Sequence, residues 1–215
     1  MSKVVVFDLD GTLLDSAPDI HAAVNRVIGR RGLAPYSLDE VKAMIGDGVK
    51  VLTERFLAGR GRAYDQACHD ELVADEDIRS ARLTAPFEGI AEVLSALEAE
   101  GWRLAVCTNK PEGPARELLA SLGLGGRFAA IGGGDSFPVR KPHPDHLRAT
   151  LAAAGGVPET AVMVGDHRND VMAASGAGVP CIFVAWGYGP VAMADGAPVA
   201  ARPADLPGLV ATLRP

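Results

Sequence analysis

The stretch Val4-Val5-Val6-Phe7-Asp8-Leu9-Asp10-Gly11-Thr12-Leu13-Leu14-Asp15-Ser16 runs from a short apolar segment straight into a pair of aspartates. Val4 to Phe7 is β-branched and aromatic and too short for a helix, so it reads as an interior strand of a parallel sheet. Side chains of a strand alternate between its faces, which puts Asp8 and Asp10 on one face as the chain lifts off. Gly11 supplies a turn there, and Thr12 a hydroxyl beside the acids. In open α/β sheets, ligands bind beyond the carboxyl ends of the strands. Two carboxylates in that position repel each other unless a cation, a shared proton or a reaction uses them. One aspartate alone would read as a cap on turn amides; the pair behind a strand reads as functional.

Composition narrows the field. A chain of 215 residues, 48% of them hydrophobic, can bury one sizeable core, or a core with a small insertion. A net charge of −6 argues against a nucleic-acid partner, though not against a small anionic substrate, because a local cation decides that. The three cysteines, Cys68, Cys107 and Cys181, are widely spaced and mostly set in apolar runs. They suit buried hydrophobes in a reducing compartment better than disulfides or a zinc site. No window is apolar enough for a membrane helix, and the N-terminus enters a strand rather than a signal peptide. The expectation is a cytoplasmic, soluble protein with no membrane partner, a monomer or a homodimer.

Beyond Ser16 the pattern turns helical. Ile20, Val24, Val27 and Ile28 mark one face of a helix over 19–31. Ser37 followed by Glu40 is a capping box that starts a second. Further helices are expected over 48–57 and 64–80. From Pro86 onward helices alternate with short apolar runs: Leu104 to Cys107, Ala129 to Ile131, Ala161 to Val164 and Cys181 to Val184. That alternation implies a Rossmann-like α/β fold, a doubly wound parallel sheet with helices on both faces. The chain is thus expected to form a core from residues 1–15 and 83–215, interrupted after its first strand by an all-helical cap over 16–82.

Each later strand also ends in polar residues: Thr108-Asn109-Lys110, then Gly132-Gly133-Gly134-Asp135 with Arg140-Lys141-Pro142, then Gly165-Asp166-His167-Arg168-Asn169-Asp170. The fold brings these to one edge of the sheet beside Asp8 and Asp10. Asp166, joined to that pair, makes a set of hard oxygen ligands suited to Mg²⁺. Asp170 lies where a helix begins and reads either as support for the metal or as a helix cap. The Thr108 hydroxyl, the Asn109 amide region and the Lys141 ammonium are expected donors to an anion. The glycine run at 132–134 is not a dinucleotide fingerprint, since it neither follows the first strand nor opens a helix. His143, His146 and His167 lack zincin spacing; His143 and His167 could line the pocket, though surface loops are the commoner place for such residues.

Asp8-x-Asp10-x-Thr12, Thr108, Lys141 and Gly165-Asp166 with Asp170 resemble, in order, the motifs of the haloacid dehalogenase superfamily. The insertion after the first motif resembles its C1-type helical cap. Within the superfamily, residues 8–16, the cap segment Ile45-Gly46-Asp47-Gly48 with Leu52 and Arg55, and residues 132–135 and 140–144 are most similar to bacterial phosphoglycolate phosphatases. His167 departs from that subfamily, which often has a small residue there. The resemblance implies that Asp8 attacks phosphorus, that Asp10 serves as acid and then base, and that Asp8, the Asp10 backbone carbonyl and Asp166 hold Mg²⁺. It gives phosphate binding to Thr108, Asn109 and Lys141, and a supporting place to Asp170. A small phosphorylated metabolite is the implied partner. Substrate choice then falls to the cap, where Gly46, Lys42, Lys50 and above all Arg55 are candidates, an arginine being suited to bidentate carboxylate recognition.

A sugar-phosphate phosphatase or phosphomutase would use the same motifs. A phospho-receiver without turnover would also present an acidic pocket, but Asp10 as a proton donor favours turnover. A dehalogenase would leave an acid at position 10 without purpose.

Overall fold

The computed structural model describes residues 2–214. Its strands are β1 (Val4–Phe7), β2 (Leu14–Asp15), β3 (Ala85–Pro86), β4 (Arg103–Cys107), β5 (Phe128–Gly132), β6 (Ala161–Gly165), β7 (Cys181–Val184) and β8 (Val199–Ala200). The α-helices are α1 (Ala17–Gly29), α2 (Leu38–Lys42), α3 (Val49–Ala58), α4 (Gln66–Val73), α5 (Glu76–Ser80), α6 (Ile90–Ala99), α7 (Glu112–Ser121), α8 (Pro144–Ala153), α9 (Arg168–Ala177) and α10 (Leu206–Leu213).

Six strands form one sheet in the order β5-β4-β1-β6-β7-β8, every neighbouring pair parallel. A parallel interior strand is apolar on both faces, and β1 is a case of it. Val5 and Phe7 face a cluster built with Ile90 and Leu94 of α6 and Leu118 of α7. Val4 and Val6 face the opposite cluster, with Leu147 and Leu151 of α8 and Ala173 of α9. All four β1 side chains are fully buried. Connections leave β1 toward β4 on one side and return to β6 on the other, so the carboxyl end of β1 lies at the point where strand order reverses. The Rossmann-like α/β reading holds.

Helices α1 to α4 gather round a third apolar cluster of their own, centred on Val24, Ile28, Phe56 and Leu72. Where the chain leaves and re-enters the sheet, β2 and β3 pair antiparallel, Leu14 opposite Pro86 and Asp15 opposite Ala85. Asp19 at the start of α1 clasps the returning strand, accepting from the Leu83 amide at 2.9 Å and the Thr84 amide and hydroxyl at 2.8 and 2.7 Å. The capping box at Ser37 and Glu40 is formed.

Two expectations need correction. The helix expected over 64–80 is two, α4 and α5, because Asp75 between them is drawn to Arg26 of α1 at 2.6 Å instead of continuing the turn. The sequence reading also stopped at Val184, whereas β8 adds a sixth strand and α10 covers the first face with Leu206 and Val210. The three cysteines are buried and unpaired. Among the described residues, no helix is long and apolar enough to cross a membrane.

Candidate active site

Alternation along β1 places Asp8 on the face of Val4 and Val6, toward α8 and α9. Its Oδ1 accepts from the Leu9 amide at 2.7 Å and from Lys141 Nζ at 2.9 Å. Both bonds fall on one oxygen, which fixes the carboxylate where Asp8 lines the cleft. Lys141 comes from the loop after β5, where its own amide donates to His146 Nδ1 at 3.0 Å. Its ammonium also reaches Asp170 Oδ1 at 2.6 Å. Asp170 in turn accepts from the His167 amide through Oδ2 at 3.0 Å. Asp170 thus caps α9, as one of its two readings has it, and also anchors Lys141.

Asp166 ends β6. Thr12 donates its hydroxyl to Oδ1 at 3.1 Å, and the Tyr188 amide donates to Oδ2 at 2.7 Å. Gly11 has a φ of +86°, and a side chain there would run into the Asp166 carboxylate and the Tyr188 ring. Glycine is required at that position by both conformation and space.

Asp8, Asp166 and Asp170 present carboxylate oxygens within 4.8 Å of one another, all three buried. Burial, and then the neighbouring carboxylates, hold the Asp166 carboxyl above the usual range. Burial raises Asp8 too, with Lys141 pulling it partly back. Burial alone would push the Lys141 ammonium down, but the charges of Asp170 and Asp8 outweigh it and hold Lys141 above its ordinary value. Three carboxylates against one ammonium leave an excess of buried negative charge on hard oxygen donors. The site fits a small divalent cation such as Mg²⁺.

Asp10 stands apart from that cluster. Its Oδ1 takes the Ser16 hydroxyl at 2.6 Å, and Lys110 Nζ lies 3.3 and 3.4 Å from its two oxygens. Thr108 is buried at the end of β4, its Oγ1 accepting from the Lys110 amide at 3.1 Å. The Asn109 side chain is taken up by backbone carbonyls. Its amide nitrogen is engaged with the carbonyls of Gly46 and Lys141, at 2.9 and 3.0 Å, so only its backbone N–H remains to donate to an anion.

A cleft of about 80 Å³ opens above Asp8 and Asp10, lined by Thr108, Asn109 and Lys110 below and by Ile45, Val49, Leu52, Leu72 and Ile78 above. Gly46 is in its wall; its carbonyl accepts from Asn109 and, at 3.2 Å, from Asn169. The other cap candidates lie elsewhere. Arg55 turns back onto its own loop, pairing with Asp47 at 2.5 Å and donating to the Met44 carbonyl at 2.9 Å, because Asp47 offers it a nearer partner than the cleft does. Lys50 stands over the Tyr64 ring at 5.7 Å on the outer side of α3, and Lys42 over Tyr188 at 5.7 Å. His143 caps α8 through Nδ1, and His167 packs on Gly46.

Sequence reasoning missed Lys110 and the loop Trp186-Gly187-Tyr188-Gly189. Lys110 carried a usable signal, since Lys110-Pro111 repeats the Lys141-Pro142 pattern in which proline holds the preceding residue extended. The aromatic loop carried none: Trp186 Nε1 donates to the Thr12 carbonyl at 3.1 Å, and Tyr188 both donates its hydroxyl to Asp15 at 2.9 Å and braces Asp166, contacts that only the fold creates.

Residues 5–184 match the family model described as haloacid dehalogenase-like hydrolase. The chain is 47% identical over 188 residues to a phosphoglycolate phosphatase of Cereibacter sphaeroides, covering 86% of this chain and 85% of that one. It is 41% identical over 199 residues to one of Agrobacterium fabrum, covering 91% and 85%. Among solved structures, a predicted phosphoglycolate phosphatase from Haemophilus somnus superposes with a TM-score of 0.88 at 28% identity, covering 97% of each chain. A CbbY variant from Rhodobacter sphaeroides in complex with xylulose-1,5-bisphosphate superposes with a TM-score of 0.80 at 26% identity, covering 96% of each. With the matched model spanning most of its length, the chain belongs to the haloacid dehalogenase-like hydrolases.

Proposed function

We propose that the protein hydrolyses a small phosphomonoester, 2-phosphoglycolate, through a phosphoryl group carried on Asp8. The observation that carries the proposal is the Asp8 carboxylate, pinned through Oδ1 by Lys141 and the Leu9 amide at the mouth of the cleft. Asp8 Oδ2 attacks phosphorus and the ester oxygen departs, taking a proton from Asp10. A water then attacks the same phosphorus, gives its proton to Asp10, and inorganic phosphate leaves as Asp8 is regenerated. The Thr108 hydroxyl, the Asn109 backbone N–H and Lys141 hold the phosphoryl oxygens and offset their charge in the transition state. Asp8, Asp166 and the Asp10 carbonyl would hold Mg²⁺, with Asp170 behind, and the bound ion would supply the neutralisation that lets one anion approach another.

We propose further that residues 16–82 act as a cap on a core of 1–15 and 83–215, with the β2–β3 pair as the hinge. Closing the apolar wall of Ile45 and Leu52 over the phosphate would exclude bulk water. The curated relatives quoted above supply the name of the substrate. The CbbY complex supports a second reading, a sugar-phosphate phosphatase, and a mutase would share the core site.

The deciding experiment is Mg²⁺-dependent phosphate release across a panel of phosphorylated metabolites. Release is expected to be fastest from 2-phosphoglycolate, to stop on chelation, and to fall at least about 10⁴-fold in Asp8→Asn. A variant as active as the wild type would overturn the nucleophile. Isomerisation of a sugar phosphate without release would favour the mutase.

A further inference from the structure

Lys110 is a buried ammonium with too few partners. Its side chain is 7% exposed, its Nζ meets only the Asp10 carboxylate among the described residues, and those contacts are long, at 3.3 and 3.4 Å. A lysine carries three N–H donors, so at least one is left over, in a place where an unmet charged donor is costly. The shortest bond to Asp10, at 2.6 Å on Oδ1, comes from the Ser16 hydroxyl and not from Lys110. The backbone holds Lys110 in place from both sides: its amide donates to Thr108 Oγ1 at 3.1 Å, and its carbonyl accepts from the Gly134 amide at 2.8 Å.

The surroundings say what the spare donor is for. Among the described residues, Lys110 is the single cationic side chain lining the cleft, and the cleft is otherwise walled by apolar residues such as Ile45, Val49 and Leu52. Lys141, the other buried ammonium nearby, is committed to Asp8 and Asp170. Arg55 is committed to Asp47. Lys110 touches Asp10, the group that meets the ester oxygen of the departing alcohol. An anionic group one carbon removed from that oxygen would therefore fall beside the Lys110 ammonium, against a low-dielectric wall that strengthens the attraction.

We infer that Lys110 is the cation that recognises a carboxylate on the leaving group of the substrate. The inference rests on the phosphatase reading above and locates its specificity in the core at the end of β4, on a residue next but one to Thr108, rather than in the helical segment. Lys110 keeps Asp10 company in the free protein and turns a donor to the incoming carboxylate.

The test compares two esters alike in size, 2-phosphoglycolate and 2-hydroxyethyl phosphate, in the wild type, Lys110→Gln and Lys110→Arg. The ratio of kcat/KM for the charged ester to that for the neutral one is expected to fall at least about 10-fold in Lys110→Gln, mainly through KM, and to be largely kept in Lys110→Arg. A damaged Asp10 or a loosened loop would lower both rates and leave the ratio alone. A ratio unchanged within about twofold overturns the inference, whatever the absolute rates. Calorimetric binding of 3-phosphonopropionate and propylphosphonate to the Mg²⁺-loaded wild type needs neither turnover nor a folded variant. The carboxylate-bearing phosphonate is expected to bind at least about 10-fold more tightly, and equal binding overturns the inference. Failure of the wild type to release phosphate from either ester defeats the phosphatase reading instead, and the phosphonate pair still judges Lys110.

Discussion

Two buried lysines flank the Asp8–Asp10 pair, and they are finished to different degrees. At the Lys141 end, the ammonium has two carboxylates, at 2.6 and 2.9 Å, and its backbone is tied to His146. At the Lys110 end, it has one carboxylate at 3.3 Å and a cleft walled by apolar residues. A completed network fixes geometry before substrate arrives, which is what phosphoryl transfer requires. An incomplete one stores recognition, because the missing partner must come from outside. The difference separates the reaction from the choice of what reacts.

Breaking the finished end gives the largest expected effect. Lys141→Met leaves Asp8 and Asp170 buried without their cation, and is expected to lower the folding free energy by about 3–5 kcal/mol. The kcat should fall roughly 10³-fold for charged and neutral esters alike. Urea unfolding and steady-state kinetics read the two quantities, and a loss confined to the charged ester would erase the distinction between the ends.

His146 tests the same end through pH. Burial, and then the Lys141 charge, push its imidazole down to about 4, against an ordinary value near 6.5. The unfolded chain therefore takes up a proton between those values while the folded one does not, so stability present above about pH 6.5 is lost as pH falls toward 4. The shift corresponds to at most about 3 kcal/mol. His146→Asn, which keeps an acceptor for the Lys141 amide, is expected to start less stable at pH 7 and to decline less steeply on acidification. Thermal denaturation across that range checks it, and an unchanged slope would remove His146 from the argument.

The contacts above the cleft come next. Asn169 donates to Asp47 at 2.7 Å and to the Gly46 carbonyl at 3.2 Å. Asn169→Ala is expected to cost about 10-fold in kcat/KM, equally for charged and neutral esters, by loosening the Gly46-Asp47 segment beside the cleft. The smallest effect is expected from Arg55→Ala, which frees Asp47 but removes nothing from the cleft. Its kcat/KM should change less than about threefold, with the charged-to-neutral ratio unaltered. A collapse of that ratio would return substrate choice to the helical segment.

These contrasts also explain what could be read from the chain. Strand periodicity, an abrupt polar end and the order of Asp8, Thr108, Lys141 and Asp166 are local facts, and parallel topology turns each into a position on one edge. Arg55 misled because a sequence shows its charge and not its nearest competitor, Asp47, eight residues earlier. The partners of the Asn109 side chain were equally illegible, its amide going to two carbonyls distant in sequence. β8 and α10 were illegible because two-residue strands and proline-headed helices carry little periodicity; tertiary packing against the sheet defines them.

Gly46 brings time into the account. Its carbonyl is gripped by two side-chain amides, Asn109 and Asn169, one from the end of β4 and one from the start of α9. If residues 16–82 open and close as proposed, each departure of product would require that grip to be released and each arrival would require it to be remade. Two such bonds in a partly buried place add on the order of 1–3 kcal/mol to the opening step, slowing it about 10- to 100-fold relative to an untethered loop. Fast chemistry at Asp8 would then wait on a slow door, and the turnover number would report the lifetime of a pair of asparagine contacts.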